Sequence, residues 1–89
     1  MIEQTVTIKN KLGLHARAAA VFSKEAATYS SEIEVCMDQV SVNGKSILEL
    51  LTLAAAKGSC ITIRVSGQDE NLAIQALAGL VAEGFGEQE

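Results

Sequence analysis

The sequence predicts an α+β fold, an open-faced two-layer sandwich in which three helices cover one face of a four-stranded sheet. Strand-like and helix-like hydrophobic patterns follow one another in the order β-α-β-β-α-β-α. Each longer strand pattern has only one apolar face, and all three helices must therefore cover the same side of the sheet. The exposed face of the sheet is expected to be polar.

The length and composition predict one small domain over residues 1–89. The chain has 89 residues with 48% hydrophobic content, enough for one modest core, and we find no linker tract or repeat. Its net charge of −4 has the wrong sign for neutralising nucleic-acid phosphates. We therefore expect no nucleic-acid partner.

Several sequence features predict a soluble cytoplasmic protein. The longest apolar segment, residues 47–56, is about half the roughly 20 residues that a membrane helix needs. The N-terminus lacks the positive region and apolar core of a signal peptide. Cys36 and Cys60 have no histidine or second cysteine at metal-ligand spacing, so we expect free thiols and no metal site.

The first half of the chain predicts a strand over residues 2–9, with Gln4 as its one polar inward position. Alanine content predicts a helix over residues 16–28. Alternation then predicts a strand over residues 32–38 and a short strand at 40–42, joined as a hairpin. The residues expected to face the core are Ile2, Val6, Ile8, Ala19, Phe22, Ala26, Ile33, Val35 and Met37.

The second half predicts a helix over residues 47–57, a strand over residues 60–65, and a last helix that follows Asp69 as its cap and reaches residue 83. The apolar residues of the second helix cover roughly 220° of its circumference at 100° per residue. Since this exceeds one core-facing stripe, part of it should be exposed. The core stripe expected for the last helix is Leu72, Ala76, Leu77, Leu80 and Val81.

The candidate site is Gly13-Leu14-His15-Ala16-Arg17, which contains the only histidine of the chain at an expected helix start. The backbone N–H groups of Ala16, Arg17 and Ala18 are expected to contact a phosphate there, because the first amides of a helix lack internal acceptors.

A neutral imidazole is a competent nucleophile near pH 7, and the Arg17 guanidinium can pair with phosphate oxygens. Gly13 should leave room for a second protein to approach. We find no second histidine and no acid partner nearby, so a relay of a group is easier to build than a hydrolase. The alternative is that His15 is a loop or capping residue without chemistry.

Three segments resemble the HPr family, the histidine-containing phosphocarriers of the bacterial sugar phosphotransferase system. They are Gly-Leu-His-Ala-Arg at 13–17, Asn-Gly-Lys-Ser-Ile at 43–47 and Gly-Ser at 58–59. The resemblance implies an antiparallel sheet in the order 1-4-2-3. It also implies a monomeric carrier, without a cofactor or enzymatic turnover. In such a carrier Nδ1 of His15 accepts a phosphoryl group from phospho-enzyme I, Arg17 steadies it, and IIA domains receive it.

Ser46 matches the first residue of a capping box, with Glu49 three residues later. A helix cap alone would explain this serine. The resemblance implies a second role, phosphorylation of Ser46 by HPr kinase/phosphorylase, with slower transfer to His15 as the result. The chain departs from the family at Ala18, where proline is common after the arginine.

An exposed patch on the first two helices is expected to bind partner proteins. This docking patch consists of Ala20, Val21, Lys24, Ile47, Leu48 and Leu51. The alternative is a second helix packed in the core on two sides. The first alternative function is that of a nitrogen-system relative of HPr or of a mainly regulatory partner acting through phospho-Ser46. The other is a small phosphatase, for which the sequence lacks an arginine phosphate loop.

Overall fold

The computed structural model describes residues 1–87. Its elements follow the predicted order, with a short 3₁₀ turn added after the last helix. They are β1 (Ile2–Thr7), α1 (Ala16–Ala27), β2 (Glu32–Met37), β3 (Val40–Asn43), α2 (Ile47–Thr52), β4 (Cys60–Ser66), α3 (Glu70–Ala82) and the 3₁₀ turn Gly84–Gly86.

The four strands form one antiparallel sheet in the order β1-β4-β2-β3, which confirms the predicted topology. The alternation in β4 is regular, with Ile61, Ile63 and Val65 buried in the core. The opposite face is polar: the Oγ1 atoms of Thr5 and Thr62 lie 2.9 Å apart across β1 and β4. The sheet therefore has one face in the core and one open face.

Helix α2 is shorter than predicted and ends at Thr52 rather than at residue 57. Ala54 has a φ of +51°, a left-handed conformation that breaks the helix at a cost of about 1–2 kcal/mol. Beyond it, Ala55 is buried and its carbonyl oxygen accepts a 2.8 Å hydrogen bond from the Leu14 N–H. Burial and this contact with the His15 loop outweigh the helix propensity of the alanines.

The core stripe of α3 was predicted at the wrong angle. Leu72 is 66% exposed, Ala76 and Leu80 are half-buried, and only Leu77 and Val81 of the predicted set are buried. Ala73 and Ala78 are buried instead, together with Ile74. Because α3 is apolar on most sides, sequence periodicity does not fix which face packs.

Asp69 stands at the N-cap position of α3 but makes no side-chain cap bond to that helix, contrary to its predicted role. Its carboxylate instead accepts the N–H groups of Ser30 at 2.8 Å and Ser31 at 3.0 Å, and both hydroxyl groups. These bonds join the end of the α1–β2 loop to the start of α3. The Ser31 hydroxyl, and then the Ser30 amide, lower the pKa of Asp69 from its ordinary 3.8 to about 2.

Within residues 1–87, no helix is both long and apolar enough to cross a bilayer. The longest, α3, has 13 residues, fewer than the roughly 20 that a membrane span requires.

Candidate functional site

His15 lies at the N-terminus of α1, where it is the N-cap residue. Its backbone is extended, with φ −84° and ψ −176°, and its carbonyl oxygen accepts the Ala19 N–H at 2.8 Å. Its Nδ1 atom accepts the backbone N–H of Arg17 at 3.4 Å, a long hydrogen bond. The imidazole therefore presents Nδ1 to the positive end of the helix.

Gly13 serves a different purpose from the one predicted. It is buried, it has a φ of +69°, and a Cβ there would lie 2.5 Å from the Ala55 carbonyl oxygen and 3.0 Å from Ala56 Cα. The absence of a side chain lets the loop that carries His15 press against residues 55–56. Gly13 therefore fixes the loop on the core and does not open space for a partner.

Glu87 provides the acid partner that sequence reasoning missed. Its Oε2 atom contacts Nε2 of His15, 72 residues away in the sequence, with 26% of the histidine side chain and 14% of the glutamate side chain exposed. The other carboxylate oxygen, Oε1, accepts a 2.8 Å hydrogen bond from Nδ2 of Asn10. The expectation that His15 has no acid partner is wrong, because it considered only nearby sequence.

Asn10 connects the carboxylate to the His15 loop. Its buried Nδ2 also donates to the Gly13 carbonyl oxygen at 2.7 Å. Its Oδ1 finds no hydrogen-bond partner among residues 1–87. The sequence analysis predicts no role for Asn10. Its only sequence signal is a polar side chain directly after the predicted first strand.

The partners of the ring fix its tautomer. An ionised carboxylate can only accept hydrogen bonds, so Nε2 must carry the proton towards Glu87. The Arg17 amide can only donate, so Nδ1 must present a lone pair. The Asn10 hydrogen bond, and after it the contact with His15 and the charge of Arg17, lower the pKa of Glu87 although partial burial opposes them. Glu87 is thus ionised at neutral pH.

The first turn of α1 contains the three amides expected to contact a phosphate. Ala16 and Arg17 are exposed, whereas the Ala18 side chain is fully buried beneath the turn. The Arg17 amide donates to Nδ1, and the charge of the Arg17 guanidinium contributes to the lowered pKa of Glu87. The phosphate-contacting role of Ala16, Arg17 and Ala18 stays a prediction.

Ser46 is the N-cap of α2, and its Oγ accepts the Glu49 N–H at 3.2 Å. Only this half of the predicted capping box forms. The Glu49 carboxylate accepts the N–H of Asn43 at 2.9 Å instead of that of Ser46, whose own N–H donates to the Asn43 carbonyl oxygen at 3.1 Å. Ser46 is half-buried and caps the helix directly.

The docking patch is exposed at three of its residues and half-buried at the other three. Leu48 is 78% exposed, Ile47 is also exposed and Leu51 is half-buried, while Leu50 alone within α2 is buried. The alternative of a helix packed on two sides is therefore wrong. On α1, Ala20 and Val21 are half-buried and Lys24 is exposed. Leu12, 68% exposed in the loop before His15, is a further apolar group that sequence reasoning missed.

Residues 1–87 contain no group of three or more histidine, cysteine, aspartate or glutamate side chains that could hold a metal ion. Cys36 and Cys60 are free cysteines near the open face of the sheet. Neither contacts the His15 site: Cys60 lies 3.6 Å from the Thr7 hydroxyl and Cys36 lies 3.5 Å from that of Ser41.

Comparisons with known proteins agree on one family. The family described as "PTS HPr component phosphorylation site" matches residues 2–83. The phosphocarrier protein HPr of Neisseria meningitidis is 47% identical over 89 residues, covering 100% of both chains. The crystal structure of HPr-C-His from Thermoanaerobacter tengcongensis has a TM-score of 0.95 and 44% identity, covering 100% of both chains. The HPr-like protein Crh of Halalkalibacterium halodurans is 44% identical over 91% of this chain and 96% of its own.

Proposed function

Because this chain belongs to the PTS HPr family of phosphocarrier proteins, we propose that it accepts a phosphoryl group on Nδ1 of His15 from phospho-enzyme I and transfers it to IIA domains for sugar uptake. The observation that carries the proposal is the fixed tautomer of His15. Its Nδ1 lone pair faces the N-terminus of α1, where partial positive charge favours an anion.

The transfer step follows from this geometry. The Nδ1 lone pair attacks phosphorus while the bond from phosphorus to the donor atom of enzyme I breaks and its electron pair returns to the donor. The long Nδ1 contact of the Arg17 amide is weak, so that amide can turn to a phosphate oxygen once Nδ1 is bonded to phosphorus. The amides of Ala16 and Ala18 and the Arg17 guanidinium would then share the charge.

Glu87 does not make this site a hydrolase. It contacts Nε2, the ring nitrogen opposite the proposed point of attachment. A carboxylate there holds the ring but is not placed to orient water at a phosphorus on Nδ1. The arrangement therefore supports a carrier.

The proposed partners are enzyme I and IIA domains, which would bind the docking patch. The patch combines the exposed Leu48 with Lys24, and an apolar centre with a charged edge suits a transient interface. We further propose that the chain acts as a monomeric single domain in the cytoplasm.

Incubation with phosphoenolpyruvate and enzyme I tests carriage. The parent should acquire an acid-labile, base-stable phosphoryl group, and His15→Ala should acquire none. Ser46→Ala is the matched control, because it removes the other proposed phosphorylation site and should keep the label. Equal labelling of His15→Ala and the parent would refute the assignment of His15.

Regulation through phospho-Ser46 is the second candidate function, with HPr kinase/phosphorylase as the partner. Ser46 is an N-cap, where added negative charge is favourable to the helix, and it lies next to the exposed Ile47 and Leu48 of the docking patch. The alternatives to carriage are a mainly regulatory role through phospho-Ser46 and a nitrogen-system role. The presence of His15 favours carriage.

Two isosteric variants separate charge from capping at this position. Asp and Asn cap helices about equally well, so Ser46→Asp and Ser46→Asn should have similar stability. Only Ser46→Asp should slow phosphorylation of His15 by enzyme I, because its charge opposes the phosphate of the partner. Equal rates for Ser46→Asp, Ser46→Asn and the parent would exclude regulation by charge at Ser46.

A further inference from the structure

The contact between Glu87 and His15 engages the ring nitrogen that does not take the phosphoryl group. We propose that Glu87 is a positioning residue that keeps a proton on Nε2 of His15 throughout phosphoryl transfer. The inference rests on the proposed function for its role in transfer, but the contact itself can be measured without any transfer.

The position of Glu87 is held by groups other than His15. Asn10 donates to Oε1 at 2.8 Å while Oε2 contacts Nε2, so the two carboxylate oxygens have separate partners. Asn10 is buried and is bonded to the Gly13 carbonyl oxygen of the same loop. A carboxylate anchored in this way can orient the imidazole, because it does not have to follow the ring.

The contact between Glu87 and Nε2 matters because the transfer reaction needs the Nε2 proton to stay on the ring. When Nδ1 bonds to phosphorus, its lone pair is used and the ring, which still carries the Nε2 proton, becomes positively charged. When the phosphoryl group leaves, the electron pair of the N–P bond returns to Nδ1 and the ring is neutral again. No proton has to enter or leave during the cycle, provided that Nε2 keeps its own.

Glu87 makes retention of that proton favourable. A carboxylate stabilises the positive ring, whereas without it the phosphorylated ring would lose the Nε2 proton to water more readily as pH rises. The deprotonated phosphorylated ring is the poorer donor, because the imidazole would have to leave with a negative charge. Of the charged side chains in this part of the fold, Glu87 contacts the ring and Arg17 acts on Glu87 through its charge.

The first test measures the Nε2 proton in the unphosphorylated protein. The chain has one histidine, so ¹⁵N-histidine labelling gives a single imidazole in the NMR spectrum. The parent should show a proton bonded to Nε2 and protected from exchange with water. Glu87→Gln, which keeps the shape and an acceptor for Asn10, should lose this protection. Glu83→Gln removes the same charge from an exposed position after α3 and should retain it.

The second test measures the rate of phosphoryl transfer from the phosphorylated protein to a IIA domain as a function of pH. The ratio of parent to Glu87→Gln rates should rise with pH, because the carboxylate bonds the Nε2 proton that the ring must keep. Glu83→Gln should follow the parent at every pH.

The outcomes separate the inference from the proposed function. A parent that takes no phosphoryl group but shows the protected Nε2 proton would refute carriage and retain the contact. A protected proton that persists in Glu87→Gln, or a rate ratio that does not change with pH, would refute the role of Glu87. Amide spectra that superimpose for the parent and both variants would establish that each protein is folded.

Discussion

Substitution of Gly13 by alanine tests how the His15 loop is held on the core. Gly13 has a φ of +69°, and an added Cβ would lie 2.5 Å from the Ala55 carbonyl oxygen, closer than real Cβ contacts come. The neighbouring atoms belong to the backbone, so they cannot rotate away. The same carbonyl accepts the Leu14 N–H at 2.8 Å, and the clash therefore falls on the bond that anchors the loop.

The expected loss of stability has two parts. A left-handed alanine costs about 1–2 kcal/mol, and forcing the loop away from residues 55–56 costs a further 1–3 kcal/mol, roughly the range for overpacking. Gly13→Ala should thus lower the free energy of unfolding by about 2–5 kcal/mol. Since small domains have roughly 5–15 kcal/mol of stability, the variant should remain folded at low temperature.

Urea unfolding followed by circular dichroism measures this loss, with Gly58→Ala as the matched control. Gly58 also has a positive φ, +91°, but a Cβ there meets no heavy atom within 4 Å. The control therefore includes the backbone strain without the clash, and it should lose only about 1–2 kcal/mol. Equal losses in the two variants would show that the close approach to Ala55 is not what requires glycine at position 13.

The remaining predictions concern a helix cap, a buried junction and a half-buried carboxylate. Ser46→Ala should lower the free energy of unfolding by about 1 kcal/mol through loss of the cap, whereas Ser46→Asn should keep the cap and the stability of the parent. Equal free energies of unfolding for the two variants in urea melts would contradict this. Ala18→Pro should still be phosphorylated by enzyme I with a modestly changed phosphohistidine lifetime, because proline is tolerated in the first helical turn; loss of labelling would contradict it. Asp69, whose pKa is lowered to about 2, contributes stability above about pH 4 that is lost towards pH 2. The Tm difference between the parent and Asp69→Asn should shrink over that range, and a constant difference would contradict it.

The sheet could be predicted from the sequence because each of its longer strands has one apolar face. In β2 and β4 the alternation determines which side chains face the core, since a slip by one residue would turn every apolar side chain outward. The packed faces of the helices were harder to predict than those of the strands. Helix α3 has apolar residues on most sides, so which face packs depended on the fit of Ala73, Ile74, Leu77 and Val81 in the core, a property of the assembled fold.

In the candidate site, too, local features could be predicted from the sequence and contacts between distant segments could not. The placement of His15 and Arg17 at a helix N-terminus could be predicted from the sequence, because the signals for a helix start lie within one segment. The early end of α2 could not, since Ala54 breaks the helix in order to bury Ala55 beneath the His15 loop. A contact between two distant segments overrode a local preference for helix, and no periodicity records such a contact.

Glu87 is the clearest case, because its place in the site depends on Phe85. Phe85 has a φ of +59°, which costs about 1–2 kcal/mol for a residue with a side chain. Its ring is buried in the core, and full burial of a phenylalanine contributes about 1.5–3 kcal/mol. Burial therefore offsets the strain and directs the chain after α3 back towards Asn10 and His15. The burial of Phe85 and the hydrogen bond from Asn10 thus hold the carboxylate through contacts other than the imidazole, which is what the proposed orienting of His15 by Glu87 requires.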